Sequence, residues 1–238
     1  MTAIIPIDTM TKQAINAAAM LSRPDGYLIA FEGIDGSGKG TALNAILPRL
    51  QEACKRLGRE LIITKEPGGT KVGNTLRELM FQDPTTKRMH PDLPALLMLA
   101  AHLQHIHEVI RPGLARGAVI VTDRYFYSHY AYQPSRGGHP IVTLGYELLQ
   151  GPEADLVVYM RGNPQRMLAR AKSRTSEVHQ SAKNWSHLRG QIDTASEYEH
   201  ILHKHPNVCG INGEDHIDII ADQIWHAFEQ TGITTRAV

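Results

Sequence analysis

Short apolar runs alternate with longer segments of helical composition along most of this chain. The runs occupy residues 27–31, 61–64, 118–122, 156–160 and 207–211. Of these, 118–122 and 156–160 are apolar throughout, as is typical of strands that are buried on both faces of a sheet. Strands that alternate with helices predict an α/β fold with a parallel five-stranded sheet, helices on both faces and a ligand site at the strands' C-terminal ends.

The intervening segments predict helices and divide the chain into one domain with two appended regions. The predicted helices run from the first strand to about residue 57, around 76–80, over 91–110, from Asn163 and Pro164 onward, and over 217–228. Residues 175–195 are polar and weakly periodic, which favours a flap within a mobile lid over about 170–195. Residues 1–25 form an extension of unknown role, and 26–238 form a single domain.

A glycine-rich turn follows the first strand: Gly33-Ile34-Asp35-Gly36-Ser37-Gly38-Lys39-Gly40-Thr41. A strand, a turn with G-x-x-x-x-G-K spacing and a helix together indicate a phosphate-binding loop. Glycines let the backbone approach an anion, the amides and the helix dipole attract it, and the lysine adds a point charge. The alternative is a plain turn with a solvent-facing lysine, and the spacing and the flanking segments both disfavour it.

The position after the lysine departs from the usual loop. Gly40 stands where Ser or Thr would normally hold a metal ion, and the hydroxyl comes one residue later at Thr41. This version resembles the loop of adenylate kinase and other nucleoside monophosphate kinases, and it differs from the loops of GTPases and motor ATPases.

Composition narrows the functional classes. A formal charge of +1 gives no global attraction to nucleic acid or to membranes, so we expect neither as a partner. Two cysteines, Cys54 and Cys209, are too few for a disulfide framework. No apolar run reaches the length of a membrane span and the N-terminus does not resemble a signal peptide, so we expect a cytoplasmic enzyme.

Two further groups of residues are candidates for chemistry. Asp123 and Arg124 end a buried strand, where a carboxylate can hold Mg²⁺ directly or through water; a structural ion pair is the alternative. The 13 histidines include two groups, 102, 105 and 107, and 200, 203 and 205. Neither spacing is a zinc signature, so packed or solvated histidines are favoured over a metal site.

Several motifs resemble those of the thymidylate kinase family, over about residues 27–228. The matching stretches are Phe31 to Lys39; Glu66-Pro67-Gly68-Gly69-Thr70 with Arg77; Gln104-His105 with Val109-Ile110; and Asp123-Arg124-Tyr125 with Ser128 and Ala131-Tyr132-Gln133. The resemblance implies a P-loop NTPase-type enzyme that uses Mg²⁺ to transfer the γ-phosphoryl group of ATP to dTMP. It also implies a homodimer.

The resemblance also implies roles for individual residues. On the donor side it implies an ATP-binding loop of Asp35, Gly36, Ser37, Gly38, Lys39, Gly40 and Thr41, and lid arginines Arg170 and Arg174. The carboxylate of Asp123 and the hydroxyl of Thr41 are the Mg²⁺ ligands that the residue chemistry predicts, directly or through water. On the acceptor side Asp35 would contact the 3′-hydroxyl, Arg77 and Arg124 the phosphate, and Tyr132 the sugar. Glu66, Pro67 and Gln133 would complete the substrate site, with a cis Glu66–Pro67 bond.

Departures from the family pattern gather at the expected base site. Met98 stands where the family has a stacking aromatic residue, His102 where it has an arginine, and His129 where it has a small polar residue. Three readings therefore stay open: a dTMP kinase, a same-fold kinase of another or modified pyrimidine deoxynucleotide, and a non-catalytic nucleotide-binding protein. The last would be expected to lose Arg77 and Arg124, and both are present.

Overall fold

The fold is built on a parallel five-stranded sheet, as the alternating pattern predicted. The computed structural model describes residues 26–83, 88–132, 139–149, 151–174 and 188–235. Its strands are β1 (Tyr27–Glu32), β2 (Leu61–Lys65), β3 (Val119–Asp123), β4 (Leu156–Arg161) and β5 (Val208–Asn212). All pairs are parallel, in the order β2-β3-β1-β4-β5. The glycine-rich turn at the end of β1 therefore lies between the ends of β3 and β4.

Helices occupy the connections between the strands. In chain order they are α1 (Lys39–Arg56), α2 (Lys71–Phe81), α3 (Leu93–His105), α4 (Arg111–Ala115), α5 (Phe126–Tyr132), α6 (His139–Leu149), α7 (Pro164–Arg174), α8 (Leu188–Leu202) and α9 (Ile217–Gln230). The sequence pattern did not predict α5, α6 or α8. None of the described helices is long and apolar enough to cross a membrane.

The predicted helix over 91–110 is longer and less regular than expected. It begins at Leu93, widens into a π-helical turn at Ile106–Ile110, and continues as α4. In that turn the N–H of Arg111 donates to the carbonyl of Ile106, five residues back. Pro112 follows directly and has no N–H, so a regular α-helical ladder could not pass this point intact.

The last part of the flap predicted over residues 175–195 contains the start of a helix that the sequence pattern did not predict. Helix α8 begins at Leu188, inside the predicted flap. Its buried positions are Gln191, Thr194, Tyr198 and Leu202, at helical spacing. Two of these four are polar, which hides the apolar periodicity that a sequence pattern relies on. The predictions for residues 1–25 and 175–187 lie outside the described part of the chain.

Both faces of the sheet carry a hydrophobic core. Along β1 the side chains alternate: Ile29 and Phe31 pack into one cluster with α1 and α9, while Leu28 and Ala30 pack into the other. All four are fully buried. The register pairs Phe31 with Asp123, so the chain leaves β1 and β3 side by side, where both strand ends can contribute to one site.

Candidate active site

The glycine-rich loop has the backbone geometry that an anion-binding loop requires. Gly36 and Gly38 have φ values of 79° and 96°, a region that side chains with a Cβ atom disfavour. A Cβ atom on Gly36 would lie 2.0 Å from the carbonyl oxygen of Met167 in α7. Gly40 is different, because a Cβ atom there would meet nothing within 4 Å. The glycine at 36 is thus a steric requirement, and the unusual glycine at 40 is not.

Lys39 is folded back across this loop and is only 8% exposed. Its ammonium group donates to the carbonyl oxygens of Gly33 at 2.9 Å and Ile34 at 3.1 Å. Burial, together with repulsion from Arg124, lowers the pKa of Lys39 below its usual value, although nearby carboxylates oppose this shift. The alternative of a solvent-facing lysine is therefore wrong.

Arg124 joins the end of β3 to the loop. Its guanidinium donates to the carbonyl oxygen of Gly33 at 3.0 Å and to Oδ1 of Asp35 at 2.6 Å. It also donates to three hydroxyl oxygens, each at 3.2 Å, those of Ser128, Tyr132 and Tyr198. Its backbone has a φ of 70°, which is uncommon for a residue other than glycine and marks a strained position of the kind found at functional sites.

The charge of Asp35 is set by the same contact. Partial burial favours the protonated form of Asp35 and would raise its pKa. The charges of Arg124 and Lys39 outweigh this effect and hold the pKa of Asp35 below its usual value. Half of its side-chain surface is exposed. Asp35 is thus an ionised, accessible acceptor beside two cations.

Sequence reasoning missed Glu32, which is fully buried at the end of β1. Its carboxylate accepts from the N–H of Tyr125 at 2.8 Å and from the hydroxyls of Ser128 at 2.7 Å and Tyr198 at 2.8 Å. Burial raises the pKa of Glu32 above its usual value, while Arg124 and these hydrogen bonds act against the shift. A charged residue closing an apolar strand was the available signal for Glu32. Tyr198 lies in a helix without a recognisable motif, so no signal in the sequence indicated its role.

A backbone carbonyl group holds Arg77 near Arg124. Its Nη1 donates to the carbonyl oxygen of Pro67 at 3.1 Å, and the Glu66–Pro67 peptide bond is cis, as the resemblance implied. The charges of Arg124, Asp123 and Asp35 all act on Arg77. The two predicted acceptor arginines are therefore neighbours at the C-terminal ends of the strands.

The lid arginines are described only in part. Arg170 in α7 donates from Nη1 to the carbonyl oxygen of Gly213 at 2.9 Å. Gly213 lies against the loop, since a Cβ atom there would come within 2.3 Å of the carbonyl oxygen of Ser37. The side chain of Arg174 and the whole of Gln133 lie outside the described residues.

Asp123 and Thr41 have the chemistry of a site for a hard cation. Among the described residues Oδ1 of Asp123 is buried without a hydrogen-bond partner, a costly state that an added ligand would relieve. Thr41 is exposed in the first turn of α1. Carboxylate and hydroxyl oxygens are suitable ligands for Mg²⁺, so the donor set fits that ion.

The three residues expected at the base are buried, and the two histidines among them lie beside the carboxylate of Glu66. Nδ1 of His102 lies 2.9 Å from Oε2 of Glu66, and Nε2 of His129 lies 3.6 Å from the same oxygen. Nδ1 of His105 lies 2.6 Å from Oε1. We call Glu66, His102, His105 and His129 the Glu66–histidine cluster. The third expected residue, Met98, is buried on α3, one turn before His102.

The ring of His102 is oriented by this cluster. Its Nδ1 faces Glu66, whereas its Nε2 faces Gly151, where a Cβ atom would lie 3.4 Å away. Burial would raise the pKa of Glu66, but the charge and hydrogen bond of His102 and the hydrogen bond of His105 hold it well below its usual value. The sequence did not predict that the histidines on α3 and α5 meet a glutamate from the β2 end.

Comparisons with known proteins agree with these motifs. A family model described as thymidylate kinase matches residues 31–224. Thymidylate kinases from Burkholderia mallei (strain NCTC 10229) and Burkholderia thailandensis are each 41% identical to this chain over 148 residues, 61% of this chain and 70% of the relative. A crystal structure of thymidylate kinase from Ehrlichia chaffeensis matches with a TM-score of 0.64 at 20% identity, covering 87% of this chain and 99% of that one. The likeness to that structure establishes the fold, the P-loop type of α/β architecture that the sequence predicted.

The Glu66–histidine cluster predicts an acid-sensitive fold. Burial, with repulsion from His102, lowers the pKa of His129 from 6.5 to about 4, although Glu66 opposes the shift. A histidine whose pKa is lowered on folding stabilises the fold above its unfolded pKa, and this contribution is lost as the pH falls towards the folded pKa. We expect His129 to account for roughly 3 kcal/mol of the loss in unfolding free energy between these two pH values.

Urea denaturation of chelator-treated protein at several pH values in this window measures the effect. His129→Gln should show a shallower decline than wild type, because glutamine does not titrate. His107→Gln, a change at an exposed histidine shortly after α3, should keep the wild-type slope. Equal slopes for wild type and His129→Gln would contradict the prediction.

Proposed function

Because this chain belongs to the thymidylate kinase family, we propose that it transfers the γ-phosphoryl group of ATP to dTMP through the residues joined at the ends of β1 and β3. The products are dTDP and ADP. The observation that carries this assignment is the convergence of Lys39, Asp35 and Arg124 on one loop, with Arg77 beside them. Phosphoryl transfer depends on positioning and on neutralising charge, and it needs cations on both sides of the transferred group.

On the donor side, the loop from Asp35 to Thr41 would bind the ATP phosphates through its amides. The ammonium group of Lys39 would exchange the carbonyl oxygens of Gly33 and Ile34 for phosphate oxygens, a short movement of a group already in the loop. Arg170 supports this side because Gly213 ties it close to Ser37. Arg174 follows Arg170 by one helical turn, and we assign it to the same clamp.

On the acceptor side, Arg124 and Arg77 would bind the phosphate of dTMP. Asp35 would accept from the 3′-hydroxyl, and Tyr132 would lie under the sugar. The attacking phosphate oxygen is already ionised near neutral pH, so no general base is required. Arg124 would exchange its present hydroxyl and carboxylate partners for phosphate oxygens, which the planar guanidinium binds well.

Asp123 and Thr41 would hold Mg²⁺. The ion would neutralise charge on the ATP phosphates, as in related phosphotransferases. The unpartnered Oδ1 of Asp123 supports this assignment. The homodimer and the cytoplasmic location stay predictions.

Turnover by Lys39→Ala tests the donor assignment. Losing one pre-aligned charge costs about 3–4 kcal/mol of transition-state stabilisation, so kcat for dTMP should fall by roughly 10²–10³. Lys55→Ala, an exposed lysine on the same helix, should retain wild-type turnover. A coupled assay of ADP formation measures both variants. Turnover of Lys39→Ala within about threefold of wild type would refute the assignment.

Base selectivity is the part of the proposal that departs from the family pattern. Met98 offers an adaptable contact in place of an aromatic stack, and Nδ1 of His102 is occupied by Glu66. A site without a dedicated guanidinium should distinguish pyrimidines by only about 1–3 kcal/mol. We expect dTMP to be the preferred acceptor, with dUMP or a 5-substituted analogue accepted within about a hundredfold in kcat/KM.

Steady-state kinetics with dTMP, dUMP and 5-hydroxymethyl-dUMP decide the question. Lys39→Ala serves as the blank for all three acceptors, so that contaminating phosphatase or kinase activity is subtracted. If wild type rejects every acceptor except dTMP by more than about 10⁴, Met98, His102 and His129 do not blunt base recognition.

A further inference from the structure

Three side chains of the Glu66–histidine cluster place their ligand atoms close to one another. One atom each from Glu66, His102 and His129 lies within 4.8 Å of the other two. The three residues come from the end of β2, from α3 and from α5, so no local sequence spacing could reveal them. All three are at most 2% exposed.

The carboxylate of Glu66 is held in position independently of His102 and His129. Nδ1 of His105 lies 2.6 Å from Oε1 of Glu66, and Nε2 of the same ring lies 2.7 Å from the hydroxyl of Thr64. The backbone N–H of Glu66 donates to the carbonyl of Asp123 at 3.0 Å. His105 and Thr64 thus supply the outer support that orients the first ligands of a metal site.

His129 has a buried ring nitrogen without a hydrogen-bond partner among the described residues. Its Nε2 is buried and has no hydrogen bond within the described part of the chain, although Oε2 of Glu66 lies 3.6 Å away. An unpaired buried nitrogen is costly. The separation is too long for a hydrogen bond, whereas two ligand atoms of one metal ion, each about 2.0–2.2 Å from it, lie at about this distance.

We propose that Glu66, His102 and His129 bind one divalent transition-metal ion of the zinc class. Two imidazole nitrogens and one carboxylate oxygen form a ligand set that suits Zn²⁺ or Co²⁺, and water would complete a tetrahedral site. The ion takes the place of the proton that His102 shares with Glu66, so binding releases that proton. This site is separate from the proposed Mg²⁺ site at Asp123 and Thr41, because Mg²⁺ prefers oxygen ligands.

The ion would link the end of β2, α3 and α5, because each of them contributes one ligand. Pro67 follows Glu66, and its carbonyl oxygen accepts from Arg77. A bound ion therefore supports the backbone that positions an acceptor arginine without contacting substrate. Its role is stabilisation of the folded protein, and its loss should lower the melting temperature.

Cobalt titration of the chelator-treated full chain, in excess Mg²⁺ and without nucleotide, tests the site. Wild type should develop a visible d–d absorption band that saturates at one Co²⁺ per chain, and Zn²⁺ should abolish the band. Melting temperature should rise with each metal. These readouts do not depend on kinase activity, so they succeed or fail separately from the proposed function.

Matched variants locate the ion. His129→Gln and Glu66→Gln should lose the saturating band, and His105→Gln should weaken Co²⁺ binding by about 10–100-fold because it removes only the outer support. His107→Ala, an exposed histidine, should titrate like wild type. Circular dichroism identifies any variant that is unfolded. The variants that remain folded then show whether the ion binds at Glu66 and His129.

Two results would overturn the proposal. One is a wild-type protein that shows no saturating band and no metal-dependent rise in melting temperature. The other is a folded His129→Gln or Glu66→Gln protein that binds Co²⁺ as wild type does, which would place the ion on other histidines.

Discussion

The half-buried guanidinium of Arg124 makes the contacts on which the active site depends. It spans the junction of β1 and β3 and contacts the loop through Gly33 and Asp35. Glu32 lies fully buried beside it and accepts from the same two hydroxyls, Ser128 and Tyr198, that Arg124 contacts. Burying charge is costly, and removing one member of such a network typically costs about 3–5 kcal/mol because its partner is left uncompensated.

Two buried carboxylates carry out parallel tasks at the ends of β1 and β2, the two strands that flank β3. Glu32 at the end of β1 organises Ser128 and Tyr198 around Arg124, and Glu66 just after β2 gathers His102, His105 and His129. Residues 128 and 129 are consecutive on α5, so this short helix joins the two networks. The acceptor side of the site is consequently supported by polar contacts in an otherwise apolar interior. Such contacts are directional and favour one arrangement of the side chains.

How much the sequence could predict depended on whether the signal was local. The five strands and the loop were predictable because an apolar run or a glycine spacing is a contiguous feature, and Lys39 and Arg124 lay in such motifs. Helix α8 was not, because Gln191 and Thr194 occupy its buried face. Tyr198 and the meeting of His102 with Glu66 depend on tertiary packing between distant segments. The expected role of His102 at the base came only from the resemblance to the thymidylate kinase family. The structure shows in addition that its Nδ1 faces the carboxylate of Glu66.

The kinetic effect of Arg124→Lys tests the central role of Arg124 most directly. Lysine keeps the charge, but it lacks the planar fork that contacts Gly33, Asp35 and the three hydroxyls at once. If the fork organises the site, kcat/KM for dTMP should fall by about 10²–10³, as for loss of one pre-organised donor. Arg116→Lys, at an exposed arginine paired with Glu60, should behave as wild type. A kcat/KM for Arg124→Lys within about threefold of wild type would show that charge alone suffices, and it would contradict an active site organised by the guanidinium of Arg124.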